Sequence, residues 1–265
     1  MKNKKTNPDK FFVQSINRAL TIVHELSKSK SQGLSLSELA EKLDLPVSTV
    51  YRIVQNLVQW QYLAEKEDGN YSLGFALLTL GNIVKENLTL TSFARKHMEE
   101  LNQLTSETIY LALLDRNNNE VIYADKVDSR RNIKLAAGIG SRNFIHSTAN
   151  GKCLVSRLSK DRIRKMLEGK GMPALTATTI TSVDQFLTEI ESVNQSGYAL
   201  DDLENENGVR CVAAPIVDYT GNVVAAISIS GIESNMDLDL LNGEYKKLVI
   251  DAALKISQQM GYTSR

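Results

Sequence analysis

A chain of 265 residues has room for one large or two medium domains with substantial cores. Its 42% hydrophobic and 23% charged residues are ordinary for a globular protein, and no apolar run approaches the roughly 18 residues of a membrane span. The 31 basic and 31 acidic side chains cancel, so overall charge gives no electrostatic footprint for nucleic acid. The start, MKNKKTNPDKFF, is basic but lacks an apolar h-region, which points to a cytoplasmic protein with no membrane partner. Cys153 and Cys211 have neither the number nor the spacing of a disulfide framework or zinc site, and no metal or other cofactor is expected.

Charge is uneven along the chain. Residues 1–12 carry Lys2, Lys4, Lys5 and Lys10 against Asp9 alone, and residues 1–9 read as a basic arm that grips a phosphate backbone or is merely solvated. Phe12–Leu26 is predicted as an amphipathic helix with Ile16, Ala19, Leu20, Val23 and Leu26 on one side. Ser35 and Glu38 make an S-x-x-E capping box, after which Leu36, Leu39, Ala40 and Leu43 recur at helical spacing. Asp44-Leu45 breaks the pattern and Pro46 restarts it at a first-turn position. In the next helix Val47, Val50, Val54, Leu57 and Val58 share one face, and Ser48, Thr49, Arg52, Gln55, Asn56 and Gln59 the other. That outer face has no carboxylate and consists of groups that donate to base edges and phosphates. In YLAEKEDGNYSLG, two alternating runs flank Asp68-Gly69, a hairpin signal. Helix, helix-turn-helix and hairpin are the order of a winged helix-turn-helix domain, here residues 10–74.

Phe75 to about Thr105 is predicted mostly helical, with more apolar surface than a linker needs. Residues 75–92 are expected to connect and dimerise, since a winged helix commonly reads two half-sites about a two-fold axis. Packing onto its own domains is the alternative. Residues 93–265 form the second domain. TIYLALLD and EVIYADKV read as strands joined by a polar turn, with IKLAA as a third. Ser147–Leu158 and Asp161–Glu168 read as helices, and Ser182-x-x-Gln185 opens another that Gly197 ends. YALDD, VRCVAAPIVD and VVAAISISG are further strands, followed by a helix over roughly Leu238–Met260. Hairpin-paired strands with helices gathered before and after imply an α+β fold on an antiparallel sheet.

Strand alternation puts Ala226, Ser228 and Ser230 on one face, and Cys211, Ala213 and Pro215 on one face of the preceding strand. If these strands pair, two hydroxyls and a thiol look into one space. A small polar ligand would satisfy them, as would backbone carbonyls or a buried water. Thr148, Ala149, Asn150 and Gly151 sit where a loop enters a helix, leaving backbone N–H groups open to an anion, although Gly151 equally suits close packing. With Asp201 these residues outline a pocket for a small carboxylate or hydroxy-acid. The enzymatic alternative draws His146, Cys211 and Asp201 or Asp218 as base, nucleophile and orienter. No G-x-S-x-G, H-E-x-x-H, P-loop or dinucleotide fingerprint accompanies them, and a cysteine inside an apolar strand reads as packing.

Taken together, these residues resemble the IclR family of bacterial transcription regulators over nearly the whole chain. SINRALTIVHEL resembles the family's S-x-x-R-A-L helix, LPVSTVYRIVQNLVQWQYL its L-P-x-S-T-x-x-R reading helix, and YSLG its wing strand. GYALDDLENENGVRCVAAPIVD matches G-x3-D-x2-E-x6-C-(LIV)-A-x2-(LIV) through Gly197, Asp201, Glu204, Cys211, Val212, Ala213 and Ile216. Val217 departs from a position that is usually aromatic or His, and A-N-G-K stands where many members have G-A-G-K, so that Asn150 adds an amide to the pocket rim.

The resemblance implies a winged helix-turn-helix domain, a GAF-like effector domain, and a homodimer or homotetramer. It implies control of a catabolic operon, as a repressor rather than an activator, by a small organic acid such as a keto- or sugar-acid. KVDSRRNIKLAAGIGSR resembles members that sense 2-keto-3-deoxygluconate. On this reading Arg18, Ser35, Ser48, Thr49, Tyr51, Arg52 and Gln55 bind double-stranded operator DNA. Ala149, Asn150, Gly151, Asp201, Cys211, Ser228 and Ser230 bind the effector, and no residue is catalytic. The alternatives are a DNA-binding regulator whose second domain only oligomerises, and a Cys-dependent enzyme fused to a DNA-binding module.

Overall fold

Ser35 opens a helix because its side chain and that of Glu38 exchange hydrogen bonds with each other's backbone. Ser35 Oγ accepts from the Glu38 amide at 3.3 Å, and Glu38 Oε2 accepts from the Ser35 amide at 2.8 Å. In the computed structural model, which describes residues 13–29, 32–86 and 89–263, this is the second helix of a first unit, Met1–Asn87. The unit contains α1 (Gln14–Lys28), α2 (Leu36–Leu43), α3 (Val47–Gln59), a hairpin of β1 (Leu63–Glu65) and β2 (Tyr71–Leu73), and α4 (Phe75–Glu86). Asp44, at φ 52°, closes α2 in the left-handed region. Pro46 stands one position earlier than the sequence predicts: it is the N-cap of α3, and its carbonyl accepts from the Thr49 and Val50 amides. The hairpin turns at Gly69, φ 78°, as Asp68-Gly69 requires. The basic arm expected over residues 1–9 lies outside the described residues.

Ile22, Leu26, Leu39, Ala40, Val50, Val54, Leu63 and Tyr71 form this unit's core. The single apolar side expected for α1 is divided. Ile22 and Leu26 are buried, whereas Ile16 and Leu20 are 58% and 63% exposed. At about 100° per residue, the Ile16/Leu20 pair lies roughly a third of a turn from the Ile22/Leu26 pair, beyond the arc that α2 and α3 cover. α4 likewise exposes Phe75, Leu78, Leu80 and Ile83.

The stretch predicted mostly helical is two helices, and the two units divide between Asn87 and Leu88. In the second unit, α5 (Thr89–Thr105) buries Leu90, Ala94, Met98 and Leu101 against its own sheet. That sheet is antiparallel, in the order β5-β4-β3-β8-β7-β6. Its strands are β3 (Thr108–Asp115), β4 (Glu120–Val127), β5 (Arg142–Phe144), β6 (Ala199–Asp202), β7 (Val209–Val217) and β8 (Val223–Ile232). Period-2 alternation gives it two cores. Ile109, Leu111, Val212, Ile227 and Ile229 meet α5 and the C-terminal helix α10 (Lys246–Gln259), which follows a short α9 (Leu238–Leu240) and a wide turn. Tyr110, Ala112, Ala213 and Ala226 meet α6 (Ala149–Val155), α7 (Lys160–Lys170) and α8 (Val183–Ser196).

IKLAA is not the expected third strand; Arg142–Phe144 pairs with β4 instead. The carbonyls of Leu135 and Ala137 accept from Lys126 Nζ at 2.9 Å and Tyr110 Oη at 2.9 Å. Side chains thus take the backbone groups that a strand would have offered a neighbour, and residues 131–140 form a loop.

Candidate functional sites

In the first unit, Ser48, Tyr51, Arg52 and Asn56 are exposed on α3, and Thr49 is half-buried. Arg52, Thr49, Ile53 and Asn56 share an open recess with Ser15 and Arg18 of α1. Two guanidinium groups from different helices therefore face one concavity that has no carboxylate in its lining. The remaining expected DNA contacts are placed otherwise. Gln55 turns toward the wing, where its Nε2 donates to Tyr71 Oη at 3.5 Å. Gln55 lies about 60° round the helix from Arg52, on the side of that face next to the hairpin. Ser35 Oγ is engaged with Glu38 in the capping box. Glu67 and Asp68 are exposed at the wing tip, and Asp68 holds the Asn70 amide at 2.9 Å.

In the second unit, strand register assembles a cavity of about 40 Å³. Asp201 lies opposite Cys211 in the β6–β7 pair, and Cys211 opposite Ser230 in the β7–β8 pair, so carboxyl, thiol and hydroxyl stand side by side. All three line the cavity, with Ala149 and Asn150 of α6. Asp201 is 2% exposed, and its Oδ1 accepts from the Glu204 and Asn205 amides at 2.8 and 3.2 Å. Burial pushes its pKa up to about 7; Glu204 adds to the rise, while the amide bonds and Lys152 oppose it. Burial, with the neighbouring Asp201 carboxyl, likewise holds the Cys211 thiol well above its usual range, which disfavours the thiolate.

Two expected pocket residues sit behind the wall. Ser228 pairs with Ala213 two positions further along, accepts from Asn150 Nδ2 at 2.8 Å, and lies 3.2 Å from Ser230 Oγ. Gly151 does not line the cavity. Its amide donates to Thr148 Oγ1 at 3.0 Å, and a Cβ there would lie 2.3 Å from the Ile145 carbonyl oxygen. Close packing, not anion contact, accounts for this glycine. Beneath it Lys152, 1% exposed, sends Nζ to Glu204 Oε1 at 2.6 Å, the Leu200 carbonyl at 2.8 Å and Glu189 Oε1 at 3.3 Å.

The sequence left the opposite wall unnoticed. Tyr110 and Tyr123 stack with centroids 4.3 Å apart, and Tyr123 Oη accepts from Asn143 Nδ2 at 3.2 Å. Leu135–Ala137, Thr148, Asn205, Val209 and a second carboxylate, Glu206, complete the lining. The tyrosines' presence on adjacent strands was legible, but their partnership depends on register. His146 is not on the cavity wall: its Nε2 meets the Pro173 carbonyl at 3.1 Å, and burial lowers its pKa. Asp218 is tied into the turn that ends β7. The base, nucleophile and orienter drawn for an enzyme are thus not assembled. Among the described residues no group of three or more His, Cys, Asp or Glu could hold a metal ion, and no helix is long and apolar enough to cross a membrane.

Comparison with known proteins agrees at both ends of the chain. The model of the IclR helix-turn-helix domain matches residues 15–67, and that of the bacterial transcriptional regulator IclR C-terminal domain matches residues 83–258. The HTH-type transcriptional regulator KdgR of Escherichia coli is 36% identical over 251 residues, covering 94% of each chain. The transcriptional repressor IclR of the same organism is 30% identical, covering 94% of this chain and 90% of its own. The crystal structure of Thermotoga maritima IclR is 30% identical, with a TM-score of 0.77, over 94% of this chain and 99% of that one. The chain belongs to the IclR family of bacterial transcriptional regulators, with the family's helix-turn-helix in its first unit and the antiparallel sheet domain in its second.

Proposed function

We propose that the protein is a cytoplasmic, ligand-responsive repressor of a catabolic operon. A homodimer or homotetramer binds operator DNA through α3, and a small organic acid, such as a keto- or sugar-acid, sets its affinity from the cavity of the second unit. The observation that carries this reading is that cavity, where Asp201, Cys211 and Ser230 are held in register on three adjacent strands. A domain that only oligomerised would gain nothing from such a space, because each buried polar group left unmet costs about 1–3 kcal/mol. The ligand is bound and released unchanged, since no activated nucleophile faces it.

On the DNA side, Arg52, Arg18 and Thr49 share one recess and supply the grip, with Ser48 and Tyr51 exposed beside them. Two reading helices of a dimer enter successive major grooves about one helical turn apart. The exposed Ile16, Leu20, Phe75 and Leu78 supply apolar surface for that pairing. Ligand binding favours one of two dimer arrangements that differ in operator affinity.

Arg52→Ala, assayed by fluorescence anisotropy on the DNA upstream of the gene, is expected to weaken binding by about 1–3 kcal/mol at fixed salt. Near-normal affinity would remove the reading helix from the interface. A thermal-shift screen of organic acids, with each hit retested for operator affinity, examines the sensor. A tight ligand that leaves operator affinity unchanged defeats the coupling.

A further inference from the structure

An organic acid reaches the cavity as an anion and finds no lysine, arginine or histidine in the lining. Two lining residues are themselves carboxylic: Asp201, 2% exposed in the wall, and Glu206, exposed at the rim. The buried Lys152 lies outside the lining and is held by Glu204, Glu189 and the Leu200 carbonyl. α6 begins at the cavity, but a helix of 7 residues supplies partial charge rather than a counter-ion.

The Oδ1 of Asp201 accepts from the Glu204 and Asn205 amides, which fixes the carboxyl plane. Burial keeps this carboxyl protonated up to a pH of about 7. Around it, burial pushes the Cys211 and Cys153 thiols and the Tyr110 and Tyr123 phenols above their ordinary ranges. These four carry no charge between about pH 6 and 8.5. Glu204 and Lys152 are bonded to each other at 2.6 Å. Asp201 is thus the one group of the wall able to meet an anion by holding a proton. Two carboxylates in one small desolvated space do not both ionise, and the pair keeps a proton between them. We propose that the cavity takes up an organic acid together with one proton, shared by Asp201 and the ligand carboxylate and drawn from solvent whenever Asp201 is ionised beforehand. This rests on the reading of the cavity as the effector site and names the co-ligand that balances its charge.

Isothermal titration of the full-length protein with pyruvate, gluconate and 2-ketogluconate at pH 6, 7.5 and 8.5, in buffers of different ionisation enthalpy, counts the protons. With Asp201 ionising at about pH 7, an acid that binds is expected to take up almost none at pH 6 and about one at pH 8.5. Its affinity should fall about eightfold from pH 7.5 to 8.5. Asp201→Asn keeps the neutral shape at every pH, so it should bind without uptake and with affinity level across the range. Glu206→Gln should retain the uptake, and with the wild type it decides the matter should Asp201→Asn fail to fold. Binding without uptake at pH 8.5, uptake that persists in Asp201→Asn, or uptake lost in Glu206→Gln overturns the proposal and leaves the sensor reading intact. Uptake at Asp201 by an acid that does not alter operator affinity upholds the proposal and defeats the sensor reading. Binding by none of the three acids at pH 6 and millimolar concentration overturns both.

Discussion

Lys152→Met removes the cation shared by a buried carboxylate, Glu204, and a half-buried one, Glu189. The lysine side chain is 1% exposed, and its ammonium lies 2.6 Å from Glu204 Oε1 and 3.3 Å from Glu189 Oε1. Methionine nearly matches its length and apolar stem, so the loss is charge and hydrogen bonds rather than volume. Glu204 is then a buried carboxylate without its counter-ion, its Oε2 already lacks a protein donor, and the Leu200 carbonyl loses its partner. Breaking a buried pair from one side costs about 3–5 kcal/mol. For a domain of about 150–250 residues, each kcal/mol lowers Tm by about 2–4 °C, so the drop is roughly 6–20 °C. Thermal unfolding followed by far-UV circular dichroism at pH 7.5 measures it. Burial already pushes the Glu204 carboxyl above its ordinary range, and Lys152 opposes that rise. Without the lysine, Glu204 takes up a proton more readily, so the deficit shrinks at pH 5. Glu204→Gln added to Lys152→Met should recover part of the loss at pH 7.5. A deficit under about 1 kcal/mol, or one equal at both pH values, refutes the account of the cluster.

Two further outcomes follow from the same domain. Gly151→Ala pushes a Cβ to 2.3 Å from the Ile145 carbonyl oxygen, and because the obstacle is backbone it should destabilise by about 1–3 kcal/mol in urea titration. Gly169→Ala in α7, with no contact under 3.8 Å, is the control and should gain up to about 1 kcal/mol; similar values for the two would contradict the packing argument. Asp201, unlike a salt-bridged carboxylate, has its pKa raised on folding, from 3.8 to about 7. Between those values the folded state keeps a proton that the unfolded state has released, so its contribution to stability falls as pH rises, by about 1.4 kcal/mol per unit. Asp201→Asn cannot titrate, and its stability relative to wild type should climb from pH 5 to 7 and level off above; a flat difference would show that Asp201 titrates as if exposed.

Local chemistry was legible from the residues alone. The Ser35–Glu38 box, the Asp68-Gly69 turn and the Gly197 stop act within four residues of chain, so their geometry follows from their spacing. Strand parity likewise placed Cys211, Ser228 and Ser230 toward one side, because alternation is a property of the single strand. Parity does not choose neighbours. Only the β6–β7–β8 register set Asp201 beside Cys211 and Ser230, and only the β3–β4 register stacked Tyr110 on Tyr123 to close the opposite wall. IKLAA has the composition of a strand, yet its carbonyls were claimed by Lys126 and Tyr110. Ile16 and Leu20 have the periodicity of a buried stripe, but burial depends on how far around α1 its neighbours reach. The helix-turn-helix and the sheet were thus written into the order of residues. Of three successive positions of α6, Asn150 and Lys152 took their roles from partners 48 to 78 residues away, and Gly151 took its own from the Ile145 backbone folded back against the helix. Long-range contact, not local propensity, decides which of three adjacent polar or small residues faces a ligand.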